Sequence, residues 1–164
     1  MKGRCWKFGA DINTDLIIPG RYLNTTDPVE LAKHCMEDAD PDFSSKVSEG
    51  DIILADKNFG CGSSREHAAV SLKGSGIAAV IAESFGRIFY RNAIAVGLPV
   101  IQAPQVSIKV EEGDILEVEV DNGKITNTRT NEMILFDPFP DFIQTFIDEG
   151  GLSNYVRKRL IKKG

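Results

Sequence analysis

Two short apolar segments on either side of a helical one constrain the fold of this chain more than any other feature. We predict buried strands at 51–56 and 76–82, because residues 52–55 and 77–82 within them are all apolar, as expected of strands covered on both faces. Helical spacing follows each of them, at 63–73 and at 85–96, and the second helix leads into a third short apolar strand at 98–101. Parallel strands need a crossover connection, so this order predicts parallel βαβ units.

In the last third of the chain, apolar and polar residues follow one another with a different period. Residues 114–120 alternate strictly between apolar and polar side chains, which is typical of a strand with one buried face. Asp121-Asn-Gly123 predicts a hairpin turn, with return strands at 124–127 and 132–136 and helices at 142–147 and 152–160. We therefore predict an α/β fold with a parallel half and an antiparallel hairpin region. The length of 164 residues fits one domain, 1–164.

The region before the first buried strand contains two further predicted features. Residues 3–8 predict a strand, and the Asx-rich, Ile-rich segment 9–23 predicts an ordered loop packed on the core. Asp27 followed by Pro28 is typical of a helix start. His34, on the polar side of that helix, is expected to be solvated.

Charge and cysteine usage exclude several classes of function. The net charge of −5 gives no electrostatic basis for binding nucleic acid, and no apolar run approaches the roughly 20 residues that a membrane helix needs. Cys5, Cys35 and Cys61 are far apart in sequence, which predicts reduced thiols in the cytoplasm. The chain has only two histidines in addition to these cysteines, so we expect no metal or cofactor site on it.

The segment Asn58-Phe-Gly-Cys-Gly-Ser-Ser-Arg-Glu-His-Ala68 carries the chemistry. It lies between a buried strand and a helix, where free backbone N–H groups can hold an anion. Gly60 and Gly62 allow a ligand to approach the backbone closely. Arg65 supplies a planar fork for a carboxylate, and the hydroxyls of two serines, Ser63 and Ser64, stand next to it.

Simpler interpretations of the same residues stay open. Ser63 and Glu66 have the spacing of a capping box, so Ser63 could serve only to start the helix. Ser63 and His67 are four residues apart, as a serine nucleophile and its base could be, although His67 fits a structural role better. Arg87 and Arg91 are expected to lie at the surface and pair with acids.

Two motifs resemble a known family. Gly60-Cys-Gly-Ser-Ser-Arg-Glu-His-Ala68 and Asp11-Ile-Asn-Thr-Asp-Leu-Ile-Ile-Pro-Gly-Arg-Tyr-Leu23 are similar to the signatures of the small swivelling domain of the aconitase superfamily. The resemblance covers nearly the whole chain. It implies a swivelling β/β/α domain that works with a large partner subunit, and that subunit would carry a [4Fe–4S] cluster.

The resemblance also implies roles for individual residues. Ser63 matches the catalytic base, which acts as an alkoxide, and Asp15 matches an aspartate that pairs with active-site groups across the subunit interface. Ser64 and Arg65 match groups that hold a substrate carboxylate, and Arg21 lies near a further substrate-recognition arginine. The stretch from Tyr22 to Thr25 corresponds to the part that chooses the substrate. Homoaconitase-like members tend to carry an arginine where this chain has Asn24, whereas Thr25 agrees with them.

The activity implied is that of a hydro-lyase on a 2-hydroxy di- or tricarboxylate. The expected reaction is the isomerisation of 2-isopropylmalate and 3-isopropylmalate, in leucine biosynthesis, by dehydration and rehydration. A homoaconitase-type substrate, or both substrates, is the alternative within the family. A stand-alone module that binds dicarboxylates without chemistry, or a stand-alone serine hydrolase, is the alternative outside it.

Overall fold

A seven-stranded mixed sheet forms the centre of the computed structural model, which describes residues 1–164. Its strands are β1 (Lys2–Lys7), β2 (Ile52–Ala55), β3 (Ala79–Ala82), β4 (Val100–Gln102), β5 (Ile115–Glu119), β6 (Lys124–Asn127) and β7 (Met133–Leu135). Their order across the sheet is β4-β3-β2-β1-β5-β6-β7. The central strand β1 is parallel to β2 and antiparallel to β5, so it joins two halves of opposite character.

The parallel half has the predicted βαβ arrangement. β2 pairs in parallel with β3, and β3 with β4, through crossovers that contain the helices α4 (Glu66–Gly74) and α5 (Arg87–Ala95). Every residue of β2 and β3 is buried, because side chains cover both faces of these strands. The α/β prediction is confirmed, and the antiparallel hairpin region formed by β5, β6 and β7 is confirmed with it.

The remaining helices are short. The structure contains α1 (Thr14–Ile17), a 3₁₀ turn (Gly20–Tyr22), α2 (Pro28–Ala32), α3 (Phe43–Lys46), α6 (Val106–Lys109), α7 (Asp141–Asp148) and α8 (Leu152–Lys162). Asp27 caps α2 as predicted, since its carboxylate accepts a hydrogen bond of 3.0 Å from the Val29 backbone N–H. None of the helices is both long enough and apolar enough to cross a membrane.

The sheet separates two hydrophobic cores. On β2, Ile53 and Ala55 face a larger core with Phe59 and Phe89, whereas the alternate residues Ile52 and Leu54 face a smaller core on the opposite side. The loop 9–23 packs on the larger core, where Ile12, Ile17 and Ile18 are buried. The prediction of an ordered, packed loop is confirmed, and this loop supplies one wall of the candidate active site.

The carboxylate of Asp114, next to β5, accepts several hydrogen bonds, and these predict that the fold loses stability in acid. The buried carboxylate accepts hydrogen bonds from Arg129 Nε at 2.7 Å, from Asn127 Nδ2 at 2.8 Å and from the Glu111 backbone N–H at 2.9 Å. These donors, Arg129 above all, hold the pKa of Asp114 well below its usual range. Its contribution to stability is therefore complete above its unfolded pKa of about 3.9 and is lost as the pH falls toward the folded value.

Asp114→Asn is expected to lower the free energy of unfolding at pH 7 by about 1.5–3 kcal/mol, the typical strength of hydrogen bonds to a charged group. The variant should also lose part of the pH dependence of unfolding below about pH 4. Urea unfolding between pH 3 and pH 7 measures both effects. Asp121→Asn, at an exposed hairpin position, is the control and should follow the wild type. Equal urea midpoints for both variants would show that Asp114 does not stabilise the fold.

Candidate active site

Backbone hydrogen bonds bring three separate segments together at the carboxyl end of β2. The Gly60 N–H donates to Ile12 O at 2.7 Å, and the Thr14 N–H donates to Cys61 O at 2.9 Å, so loop 9–23 is fastened to the loop after β2. The Gly86 N–H donates to Phe59 O at 2.9 Å, which adds the start of α5. Because these hydrogen bonds join backbone atoms, they fix the loops relative to one another independently of the side chains.

Gly60 allows this crossing of segments. Its φ of +79° lies in the left-handed region, and a Cβ placed there would lie 2.2 Å from Cγ of Phe89. Phe89 is itself buried in the larger core, so it has little room to yield. The loop that carries Ser63 and Arg65 therefore rests directly on the aromatic core.

Ser63 lies outside the helix that it was expected to start. α4 begins at Glu66 with Arg65 as its N-cap residue, and no side chain caps the helix. The Ser63 hydroxyl instead lies 2.9 Å from Oγ1 of Thr14, a residue of loop 9–23. The capping-box interpretation is therefore wrong, and Ser63 is exposed at the site with its hydroxyl hydrogen-bonded across the two loops.

Arg65 and Asp15, 50 residues apart, form an ion pair beside Ser63. Nη1 of Arg65 donates to Oδ1 of Asp15 at 2.7 Å, and the Gly20 N–H donates to the same oxygen at 3.0 Å. The hydrogen bond from Arg65 is the main cause that lowers the pKa of Asp15. Arg65 Nη2 and Nε, and Oδ2 of Asp15, have no partner within the chain, so both groups keep binding capacity.

Ser64, which precedes Arg65, is contacted by α5. Its backbone carbonyl accepts a hydrogen bond of 3.3 Å from Nδ2 of Asn92, while its hydroxyl is exposed and has no partner in the chain. The sequence analysis did not single out Asn92, because no motif there distinguishes an amide that braces a distant loop from an ordinary surface residue.

Arg21 is brought to the same face but is already paired. Its Nη2 donates to Glu37 Oε1 at 2.9 Å and to Asp38 Oδ1 at 2.8 Å. These two carboxylates neutralise the positive charge of Arg21, which is therefore not available to a substrate carboxylate. In this structure Arg21 holds the loop 20–25 against the turn after α2.

His34 belongs to the same arrangement and is only partly solvated, with 35% of its side chain exposed. Its ring stacks on Tyr22 with centroids 3.7 Å apart, and its Nδ1 lies 2.8 Å from Oε2 of Glu37. The Tyr22 hydroxyl donates to Oε1 of Glu37 at 2.9 Å. The hydrogen bond to His34 is the main cause that lowers the pKa of Glu37. The Glu37 carboxylate therefore binds the side chains of Arg21, Tyr22 and His34 at the base of loop 20–25.

The end of that loop is less constrained. Thr25 Oγ1 accepts a hydrogen bond of 3.1 Å from the Asp27 N–H, just before α2, so its hydroxyl is partly used by the backbone. Asn24 is exposed, and its side chain has no partner in the chain. Of the two candidate substrate-selecting residues, Asn24 is the one whose side chain is free.

The hydrogen bonds described above do not involve four further residues: Arg87, Arg91, Cys5 and Cys35. Arg87 and Arg91 are exposed, as predicted, but neither pairs with an acid. Cys5 and Cys35 are buried in opposite cores, and burial raises the pKa of their thiols to about 12 and about 11. No group of three or more His, Cys, Asp or Glu side chains is placed to hold a metal ion. The residues of this chain therefore do not fit an iron–sulfur cluster.

Comparison with known proteins decides the family. Residues 9–106, which include both walls of the site, match the family described as Aconitase C-terminal domain. The chain belongs to this family. It is 56% identical over 158 residues to the 3-isopropylmalate dehydratase small subunit of Heliobacterium modesticaldum, covering 96% of this chain and 95% of that protein. It is also 56% identical over 155 residues to the 2,3-dimethylmalate dehydratase small subunit of Eubacterium barkeri, covering 94% and 95%.

A solved structure of the family agrees with the fold. The crystal structure of 3-isopropylmalate dehydratase from Methanocaldococcus jannaschii superposes with a TM-score of 0.93 at 51% identity, covering 99% of this chain and 98% of that chain. The resemblance to the aconitase superfamily stated from the two motifs is thereby confirmed.

Proposed function

We propose that residues 1–164 act as one domain, the small subunit of a 3-isopropylmalate dehydratase, which interconverts 2-isopropylmalate and 3-isopropylmalate. The observation that carries the proposal is the meeting of Ser63 and the Arg65–Asp15 pair at one loop crossing. It is supported by the high identity to relatives of that name over nearly their whole length.

The reaction requires a base beside a carboxylate-binding group. Dehydration removes a proton from a carbon next to a carboxylate while the hydroxyl leaves the neighbouring carbon. Ser63 Oγ takes that proton as an alkoxide and returns it to the other carbon during rehydration. A serine hydroxyl is too weak a base alone, so the positive charge of Arg65 and a water-poor site must stabilise the alkoxide.

The substrate carboxylate is held by groups that have spare donors. Nη2 and Nε of Arg65 present a fork that fits a carboxylate, and the Ser64 hydroxyl can donate beside it. Asp15 binds Nη1 and so fixes the direction of the fork, while its free Oδ2 is available to the partner subunit. Arg21, Asn24 and Thr25 complete the proposed substrate site from loop 20–25, with Arg21 acting through the loop that it holds.

The remaining chemistry belongs to a partner in this proposal. Loss of the hydroxyl needs a Lewis acid, and we assign that role to a [4Fe–4S] cluster on the large subunit. The three cysteines of this chain are unpaired, which supports a cytoplasmic location.

Reconstitution with a large subunit tests the proposal. The isolated chain should be inactive and should show no iron–sulfur absorption band, whereas the complex should convert isopropylmalate. Turnover should be compared on isopropylmalate, 2,3-dimethylmalate and homoaconitate, because the 2,3-dimethylmalate dehydratase relative is equally similar to this chain. Tight binding of malate analogues by the isolated chain, with no activity in any complex, would instead favour a dicarboxylate-binding module.

Arg65→Lys is expected to lower kcat/KM of the complex on the order of 100-fold, because a point charge cannot reproduce the fork and the carboxylate is misplaced. Steady-state kinetics on isopropylmalate measure the effect. Arg157→Lys, on the exposed side of α8, is the matched control and should keep wild-type values. Wild-type kinetics in Arg65→Lys would remove Arg65 from the site.

Asn24→Arg is expected to shift the ratio of kcat/KM toward the substrate with the extra carboxylate by about 10–200-fold. The free amide of Asn24 offers no charge to a carboxylate entering the pocket, whereas arginine would supply one. Rates on isopropylmalate and homoaconitate with the same large subunit measure the ratio. Asn122→Arg, at an exposed hairpin turn, is the control. An unchanged ratio in Asn24→Arg would locate the specificity elsewhere, most simply on the large subunit.

A further inference from the structure

We propose that Thr14 is a positioning residue for Ser63, whose hydroxyl it orients and whose alkoxide it stabilises by donating a hydrogen bond. The inference rests on the proposed function, in which Ser63 is the base. Its starting observation is the distance of 2.9 Å between Thr14 Oγ1 and Ser63 Oγ, which joins residues 49 positions apart.

The hydroxyl of Thr14 is buried and makes a single hydrogen bond. Thr14 is only 2% exposed, and Ser63 Oγ is the one hydrogen-bond partner of its Oγ1 in the chain. A buried hydroxyl needs its partner, because without one it pays the cost of losing its hydrogen bonds to water and gains nothing in return. The buried Thr14 hydroxyl therefore favours the hydrogen bond, although Ser63 itself is exposed.

The backbone on both sides of this hydrogen bond is held in place. The Thr14 N–H donates to Cys61 O at 2.9 Å, two residues before Ser63. Asn13 Oδ1 accepts a hydrogen bond of 2.9 Å from the Leu16 N–H and so anchors the turn that contains Thr14. Thr14 Oγ1 thus approaches Ser63 from a fixed direction, and Ser63 is preorganised before any substrate enters.

The direction of donation follows from the chemistry. An alkoxide has no proton to give, so when Ser63 is charged Thr14 must be the donor and keeps its own proton throughout. A hydrogen bond to an ionised oxygen is roughly twice as strong as one between neutral groups. The contact therefore stabilises the alkoxide more than the neutral hydroxyl, and it increases the fraction of Ser63 that is present as the alkoxide and able to accept the substrate proton. When Ser63 takes the substrate proton, the hydrogen bond weakens and the proton stays on Ser63 Oγ until rehydration.

Three variants in the complex with the large subunit test the inference. Thr14→Val keeps the shape and removes the hydroxyl, Thr14→Ser keeps the hydroxyl, and Thr145→Val is the control. Thr145 also loses one hydroxyl hydrogen bond, to Asp141 O, but it lies on α7. The measurements are kcat, KM, Tm and the primary isotope effect with substrate deuterated at the carbon that loses its proton.

Thr14→Val is expected to lower kcat on the order of 10- to 100-fold with KM within twofold, and to increase the isotope effect because proton removal becomes slower. Thr14→Ser should restore most of kcat, and Thr145→Val should match the wild type. Wild-type kcat in Thr14→Val, with Ser63→Ala inactive, would overturn the role of Thr14 and leave the proposed function intact. An equal loss in Thr14→Val and Thr14→Ser, with a lower Tm and an unchanged isotope effect, would show a structural role only. Wild-type activity in Ser63→Ala would instead overturn the proposed base.

Discussion

Ser63→Ala is expected to lower kcat of the reconstituted complex by about 100- to 10,000-fold, the usual range for losing a general base. The folded chain should survive, because α4 begins three residues later and does not use Ser63 as a cap. The loss of stability is confined to one hydrogen bond, and because it leaves the buried Thr14 hydroxyl without a partner it costs about 1–3 kcal/mol. Initial rates on isopropylmalate, together with thermal unfolding of the variant, separate the two effects.

The control for this substitution is Ser107→Ala, which removes a hydroxyl on α6, far along the chain from the site. It should leave both kcat and Tm at wild-type values. If Ser63→Ala retained near-normal turnover and lost only thermal stability, Ser63 would be a structural residue and the base would have to be sought elsewhere.

Gly60→Ala is expected to destabilise the chain by about 3 kcal/mol, which corresponds to a decrease in Tm of roughly 6–12 °C for a chain of this size. Two costs act together at this position. The backbone is left-handed at φ +79°, and the new methyl group would meet Phe89 at 2.2 Å. Relief requires the loop to move away from the aromatic core, so turnover in the complex should fall as well.

Two other glycines separate these costs. Gly113 has a φ of +87° and no atom within 4 Å of an added Cβ, so Gly113→Ala measures the backbone strain alone. Gly9 has neither constraint, and Gly9→Ala should be close to neutral. Thermal and urea unfolding of the three variants give the comparison. A destabilisation of Gly60→Ala no larger than that of Gly113→Ala would mean that Phe89 moves aside and that the close packing is unimportant.

The fold could be predicted where buried and exposed residues follow a regular pattern along the chain. β2 and β3 are buried on both faces and therefore appear as uninterrupted apolar runs, whereas β5 has one exposed face and alternates. α3 and α6 were not predicted, because each has only four residues and such a segment is too short to show a helical period.

The site could be predicted only in part. The glycines, serines and arginine of the segment after β2 lie together in the sequence, and that segment forms the site. Its local pattern also suggested that Ser63 caps the helix. The structure overrides that pattern because the Thr14 hydroxyl, 49 residues away, competes for Ser63.

The sequence by itself determined the order of the strands and of the longer helices, and the segment that carries the polar groups. Only the tertiary structure decided which groups pair: Ser63 with Thr14, Arg65 with Asp15, and Arg21 and His34 with Glu37. Periodicity and capping depend on neighbours a few residues apart, so they can be inferred from the chain alone. A hydrogen bond between distant side chains depends on where two loops cross, and the sheet and the contact of Gly60 with Phe89 set that crossing.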